Sequence, residues 1–318
     1  MSTAFVTGAS GFIGGALTKR LVAEGWSVKA LVRSEKSATV VRALGADAIK
    51  GDLDDISAMT AGAAGADVAF HSAAHLGEWG NAADFERVNV TGTANAVQAA
   101  REAGVPRFVH VGTEAALMHG QPLVNVDETA PLQPDSKALY SRTKARAEQV
   151  ARAGGAVVIR PRLVWGPGDT TIIPALKQAV RSKRFAWIDG GSHKTSTTHV
   201  DNVVEGLMLG AEKGRAGEAY FVTDGEPQVF RDFITRLLGT QGVEIPDRSM
   251  PRGLASAVTT AGEAAWRLLP LPGQPPLTSF GLWFITQECT IDISRARREL
   301  GYSPVTSIDD GMEELRSA

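Results

Sequence analysis

A tyrosine and a lysine stand four residues apart at Tyr140 and Lys144, and far upstream residues 7–14 read TGASGFIG. The glycine run follows a short apolar stretch and opens an amphipathic one. Strand, glycine turn, helix is the layout of a dinucleotide pyrophosphate site. A phenol with its ordinary pKa near ~10 exchanges protons poorly at neutral pH. A nearby ammonium and a positive nicotinamide ring would stabilise the phenolate and lower that value. On a helix, four-residue spacing puts Lys144 on the same face as Tyr140, one turn along. The chemistry implied is proton transfer to a carbonyl oxygen while hydride moves to its carbon.

Gly8 permits the tight turn, Gly11 the close approach of backbone to phosphate, and Gly14 the packing of helix on strand. Gly8, Ser10, Gly11, Phe12, Ile13 and Gly14 are the predicted cradle. The helix N-terminus adds free N–H groups and a partial positive charge.

The surrounding elements must hold these groups. Residues 4–7, 27–32, 46–49, 67–71, 107–111 and 156–159 read as strands, and 12–24, 34–44, 56–63, 82–103 and 140–153 as helices. Such βαβ alternation predicts an α/β fold: a doubly wound parallel sheet of Rossmann type, with ligand at the carboxyl ends of its strands. After Pro161 the alternation ends. A helix over 200–209 and a strand over 219–222 are expected, then two apolar helices around LPLPGQPP at 269–276. The expected division is a dinucleotide-binding domain over 1–160, with returns near 196–225. A smaller, partly discontinuous C-terminal substrate domain follows over 161–318. The 251–288 stretch reads equally as a pocket cap or as core.

Composition excludes several classes. The chain has 318 residues and a net charge of −2, which leaves no basic footprint for nucleic acid or anionic membrane. A single cysteine, Cys289, rules out an internal disulfide and suits a reducing compartment. No secretory leader and no transmembrane run is read, so a cytoplasmic protein is expected. No metal-ligand pattern stands out.

The GxxGxxG spacing resembles the extended branch of the short-chain dehydrogenase/reductase superfamily. Further segments fit in order: Gly51-Asp52-Leu53, His71-Ser72-Ala73-Ala74, Asn89-Val90-Thr91-Gly92-Thr93, Arg160-Pro161, Trp165-Gly166-Pro167-Gly168, His199-Val200-Asp201-Asn202-Val203 and Leu300-Gly301-Tyr302-Ser303-Pro304. The resemblance implies that Asp52 and Leu53 meet adenine. It places Ala73, Ala74, Asn89 and Pro161 beside the dinucleotide, and Lys144 on the nicotinamide ribose. It also makes Thr113, just beyond the fifth strand, the hydroxyl that orients the substrate. Arg33 and Lys36, after the second strand, suit a 2′-phosphate, so NADP(H) is expected over NAD(H). Ser34 suits either that phosphate or a helix cap.

Within the branch the chain looks most like the 3β-hydroxysteroid dehydrogenase-like enzymes and the dihydroflavonol-type ketone reductases. That resemblance implies reversible reduction of a ketone on a bulky, apolar small molecule, with Leu76, Trp79, Met118, Trp165 and Trp187 as the expected pocket wall. Glu114-Ala115 after Thr113 lacks the second carboxylate of the dehydratases. Two alternatives remain: a sugar-nucleotide epimerase with retained NAD, and a catalytically silent NADPH-binding sensor. For the epimerase, Arg162, Arg181, Lys183, Arg184 and Arg231 read as surface charges rather than a cluster. Helices 82–103 and 140–153 are the candidate homodimer elements on their small-residue content.

Overall fold

Short runs of β-branched and aromatic residues, each bounded by glycine or a helix cap, build the centre of the molecule. The computed structural model describes residues 2–269 and 271–317. Its main sheet holds β1 (Thr3–Thr7), β2 (Ser27–Val32), β3 (Asp47–Lys50), β4 (Val68–His71), β5 (Arg107–Val111), β6 (Val157–Pro161) and β7 (Ala219–Val222). The spatial order is β3-β2-β1-β4-β5-β6-β7, and every adjacent pair is parallel. The order reverses between β1 and β4, so a crevice opens where their carboxyl ends diverge. The expected doubly wound sheet is present. β3 sits one residue later than expected, because its pairing with β2 runs on to Val32 opposite Lys50.

Six helices bear on the site: α1 (Phe12–Ala23), α2 (Glu35–Ala43), α3 (Ile56–Ala63), α4, α5 (Leu139–Ala153) and α6 (Val200–Lys213). Ser34 caps α2 by accepting from the Ser37 N–H at 3.2 Å. Of its two expected roles, the cap is the one the fold uses. α4 is continuous from Ala82–Phe85 through a π-helical Glu86–Thr91 into Gly92–Glu102. The wide turn carries Asn89, and such bulges concentrate at functional sites.

Both faces of β6 and β7 are covered, so these strands read as unbroken apolar runs with one charge. That charge, Arg160, is fully buried and meets Glu148 of α5 through Nε to Oε2 at 2.9 Å and through Nη2 to Oε1. Removing one partner strands the other in a dry interior. Arg160→Met is expected to lower unfolding free energy by roughly 3–5 kcal/mol. Urea denaturation measures this, and a loss well under ~1 kcal/mol would contradict the buried pairing.

Beyond β6 lies a smaller layer. Its four-stranded sheet joins Gln228–Val229, Lys194–Thr195, Cys289–Ile291 and Leu123–Val126, the last borrowed from the first half of the chain. The expected pair of apolar helices is Arg252–Leu268 and Ser279–Thr286. Pro270, in the proline-rich connection between them, lies outside the described residues. Asp224, just after β7, ties the layers together. It accepts from the His199 N–H (2.6 Å), Asn202 Nδ2 (2.7 Å), Thr197 Oγ1 (2.7 Å) and Trp165 Nε1 (2.8 Å). Asn202 Oδ1 in turn accepts from the N–H groups of Val305 and Thr306. No helix among the described residues is long and apolar enough to cross a membrane.

Candidate active site

The turn after β1 is shaped by atoms a side chain would displace. Gly8 has φ 73°, and a Cβ there would lie 2.6 Å from the Ala73 nitrogen. The turn is therefore pressed against Ser72 and Ala73, just beyond the end of β4. A Cβ on Gly14 would lie 2.2 Å from the Gly8 carbonyl oxygen. Gly11 begins α1 without a side-chain cap and with no acid in the first turn, so the first-turn N–H groups face outward with a positive dipole end. This cradle fits a pyrophosphate. Ser10 is exposed beside it, and Phe12 and Ile13 are half-buried. Asp52 turns its carboxylate onto the Leu53 N–H (2.6 Å), and Leu53 packs against Gly92 of α4.

Lys144 is buried in α5, and its Nζ donates to the Val111 carbonyl at the end of β5, 2.8 Å away. Burial pulls the ammonium down to about 8, partly offset by the Glu148 carboxylate. Tyr140, in the first turn of α5, rests edge-on against Phe280 with ring centres 5.4 Å apart. Burial raises its phenol, and the Glu114 carboxylate raises it further. The expected acidification by Lys144 is thus not a property of the protein alone. A buried amine takes the nearest acceptor, and here that is a strand-end carbonyl.

The lysine makes stability pH-dependent. Its folded pKa (about 8) lies below its ordinary value of 10.5, so above pH 8 the unfolded chain holds the extra proton. Relative to Lys144→Met, wild-type stability is expected to rise by about 3 kcal/mol between pH ~8 and ~10.5. Denaturation of both proteins across that range reads the difference. A flat difference would mean the amine is not desolvated.

Two histidines lie beneath the lysine. His71 of β4 contacts Thr7 Oγ1 (2.7 Å) and Thr93 Oγ1 (3.1 Å), and stacks on His110 of β5 at 5.4 Å. Burial first, then the Lys144 charge, pushes His71 down to about 3, so it is neutral at working pH.

Thr113 follows β5 and caps a short 3₁₀ turn, Glu114–Leu117. Its hydroxyl donates to Glu114 Oε2 at 2.8 Å. Glu114 Oε1 meets Arg162 Nη1 at 2.5 Å, and both side chains are buried. This corrects the surface role read for Arg162. Asn89 is also fully engaged: Oδ1 accepts from the His75 N–H (2.7 Å) and Nδ2 donates to Thr143 Oγ1 (3.1 Å). It stitches the loop after β4 to α5. Pro161 ends β6 opposite Val222.

The expected pocket wall divides. Met118 and Phe280 share one apolar cluster with Tyr140. Trp79 lies under the Arg267 guanidinium at 5.5 Å, and Leu76 is exposed. Trp165 and Trp187 belong instead to a second core, packed edge-on against Phe233 and Phe185. Their placement as wall residues is corrected: a large ring in an irregular segment reads alike whether it lines a cavity or fills a core. Phe280 was missed because an aromatic on a short apolar helix carries no mark of its neighbour.

Residues 5–252 match the 3-beta hydroxysteroid dehydrogenase/isomerase family. The chain belongs to this family. A ketoreductase from Stigmatella aurantiaca, named for 4-hydroxy-2-methyl-3-oxo-4-farnesyl-3,4-dihydroquinoline-1-oxide, is 46% identical over 99% of this chain and 96% of its own. The 2-alkyl-3-oxoalkanoate reductase of Stenotrophomonas maltophilia is 36% identical, covering 98% of each chain. Among solved structures, gox2253 superposes with a TM-score of 0.80 at 28% identity, covering 100% of this chain and 98% of its own. Family membership makes this an extended short-chain-type NAD(P)-dependent oxidoreductase.

The expectation of NADP(H) over NAD(H) is overturned. Solved relatives of the fold hold NAD: the Bacillus cereus UDP-glucuronic acid 4-epimerase, the Streptomyces venezuelae dTDP-glucose 4,6-dehydratase, and an Agrobacterium tumefaciens short-chain dehydrogenase/reductase. Arg33 and Lys36 are exposed and make no ion pair among the described residues. A solvated arginine at a strand end looks the same in sequence as a phosphate ligand.

Proposed function

We propose that this enzyme interconverts a ketone and a secondary alcohol on a bulky, largely apolar small molecule. The observation that carries this reading is Lys144, one turn beyond Tyr140 on α5, with its Nζ on the Val111 carbonyl at the end of β5, two residues before Thr113, in a chain with a glycine cradle at the β1–β4 divergence. The names of the two curated relatives support the substrate class, since both are ketone reductases and one acts on a farnesylated ring.

The bound nicotinamide dinucleotide supplies hydride in reduction and accepts it in oxidation. Tyr140, protonated because burial and Glu114 hold its phenol high, donates a proton from Oη to the carbonyl oxygen. Lys144, one helical turn beyond Tyr140, would hold the nicotinamide ribose and, together with the nicotinamide charge, would favour the phenolate that remains. Thr113, turned onto Glu114, orients the substrate beside the reacting carbonyl. Phe280, edge-on to Tyr140, covers the phenol and limits water. Gly8, Gly11 and Gly14 would hold the diphosphate, and Asp52 and Leu53 would flank the adenine.

A sugar-nucleotide reading needs cations convergent on a diphosphate. Arg162 is buried against Glu114, Arg231 pairs with Asp247 at 2.8 Å, and Arg181, Lys183 and Arg184 are exposed. The test is reduced-dinucleotide absorbance with a panel of bulky ketones, set against binding of UDP-sugars. Turnover of apolar ketones supports the oxidoreductase. Tight UDP-sugar binding without ketone turnover contradicts it.

A further inference from the structure

Thr113 has one hydroxyl hydrogen, and the fold directs it at a carboxylate. Oγ1 donates to Glu114 Oε2 (2.8 Å) and accepts from the Ala115 N–H (3.2 Å). Glu114 is 2% exposed, so it has no route to solvent. Its other oxygen is held by Arg162 Nη1 at 2.5 Å. Arg162 is immobile in turn: Nη2 donates to the Phe284 carbonyl (3.2 Å) and to Thr195 Oγ1 (3.4 Å), and the guanidinium lies 4.0 Å from the Phe284 ring centre. A hydrogen bond to an ionised acceptor is roughly twice as strong as a neutral one. A ketone oxygen therefore competes poorly for the Thr113 hydrogen. What Oγ1 offers outward is its remaining lone pair, an acceptor. Beside it, Tyr140 supplies the donor a carbonyl needs.

We propose that the buried Glu114–Arg162 pair is a positioning unit that fixes Thr113 as a hydrogen-bond acceptor toward the substrate. The enzyme thereby favours ketones bearing a hydroxyl on the carbon beside the carbonyl. This rests on the oxidoreductase reading and narrows its substrate class. The carbonyl of such a molecule meets Tyr140 while its hydroxyl donates to Thr113; a plain ketone leaves Thr113 without a partner.

The geometry also says how to remove the preference. In Glu114→Gln, Arg162 has only donors, so it takes the amide oxygen. The amide NH₂ then faces Thr113 and donates to it. The Thr113 hydrogen is released toward the substrate, where a plain carbonyl can accept it and so gains the partner it lacked.

The experiment compares kcat/KM for a long-chain α-hydroxy ketone and the ketone lacking its hydroxyl. The wild type is expected to favour the hydroxy ketone about tenfold, the value of one ordinary hydrogen bond. Glu114→Gln is expected to bring the ratio to about one, and Thr113→Ser to preserve it. If Glu114→Gln melts early, Thr113→Val carries the same test, with the ratio expected to fall to about one. The ratio is also read by calorimetry as Kd in the complex with oxidised dinucleotide, where no hydride is available to a ketone. A wild-type ratio near one, or a ratio unchanged in both Glu114→Gln and Thr113→Val, overturns the proposal. Absence of turnover with both ketones while the binding ratio holds counts against the oxidoreductase reading instead.

Discussion

Tyr140→Phe is expected to cut ketone reduction by about 10²- to 10⁴-fold, the usual contribution of a positioned general acid. The change removes one oxygen and leaves the ring, so the edge-on packing against Phe280 persists. No hydrogen bond within the protein is lost, because among the described residues the Tyr140 hydroxyl has no protein partner. Stability and dinucleotide affinity should therefore hold while kcat falls. Reduced-dinucleotide absorbance in single turnover reads the chemical step, and calorimetry reads the affinity. A variant retaining more than roughly a tenth of wild-type kcat would remove Tyr140 from the mechanism and move the proton source elsewhere.

Gly14→Ala is the second change with a large expected effect. Its new methyl would sit 2.2 Å from the Gly8 carbonyl oxygen and 2.7 Å from the Gly8 carbonyl carbon. Both are backbone atoms of the turn, itself pressed against Ala73, so neither can move aside cheaply. Overpacking of this kind typically costs about 1–3 kcal/mol. Relief comes only by lifting α1 from β1, which carries the first-turn N–H groups away from the phosphates. Dinucleotide affinity is expected to fall by at least about tenfold, with a lower melting temperature in its absence. Gly15→Ala is the control: its methyl would meet the Ala9 carbonyl oxygen at 3.5 Å, an ordinary contact. Equal affinity in both variants would mean the turn does not carry the diphosphate.

Much of the scaffold was legible because it depends on local order. The parallel sheet follows from strand-length apolar runs alternating with helix-length ones, and the cradle from glycines that no other residue replaces where a Cβ meets backbone. The Tyr140/Lys144 pair follows from helical periodicity. The errors share one cause. Arg33 and Lys36 suit a 2′-phosphate by charge and position, but both are exposed, and the solved relatives of the fold hold NAD. Trp165 was read as pocket wall from size and setting, but Asp224, 59 residues away, takes its indole N–H into a core junction. Arg162 was read as a surface charge, and the partner that buries it lies 48 residues back.

Sequence alone therefore determined the parallel sheet and the glycine turn and named Tyr140, Lys144 and Thr113 as candidates, since strand, turn and helix are each set by neighbours within a few residues. Only the tertiary structure decided which charges are buried, and with whom: that Lys144 answers a strand carbonyl, that Glu114 and Arg162 enclose one another, and that Thr113 points its hydrogen inward. Ion pairing in a dry interior is governed by desolvation and by contacts between distant segments, and neither is written in the local pattern.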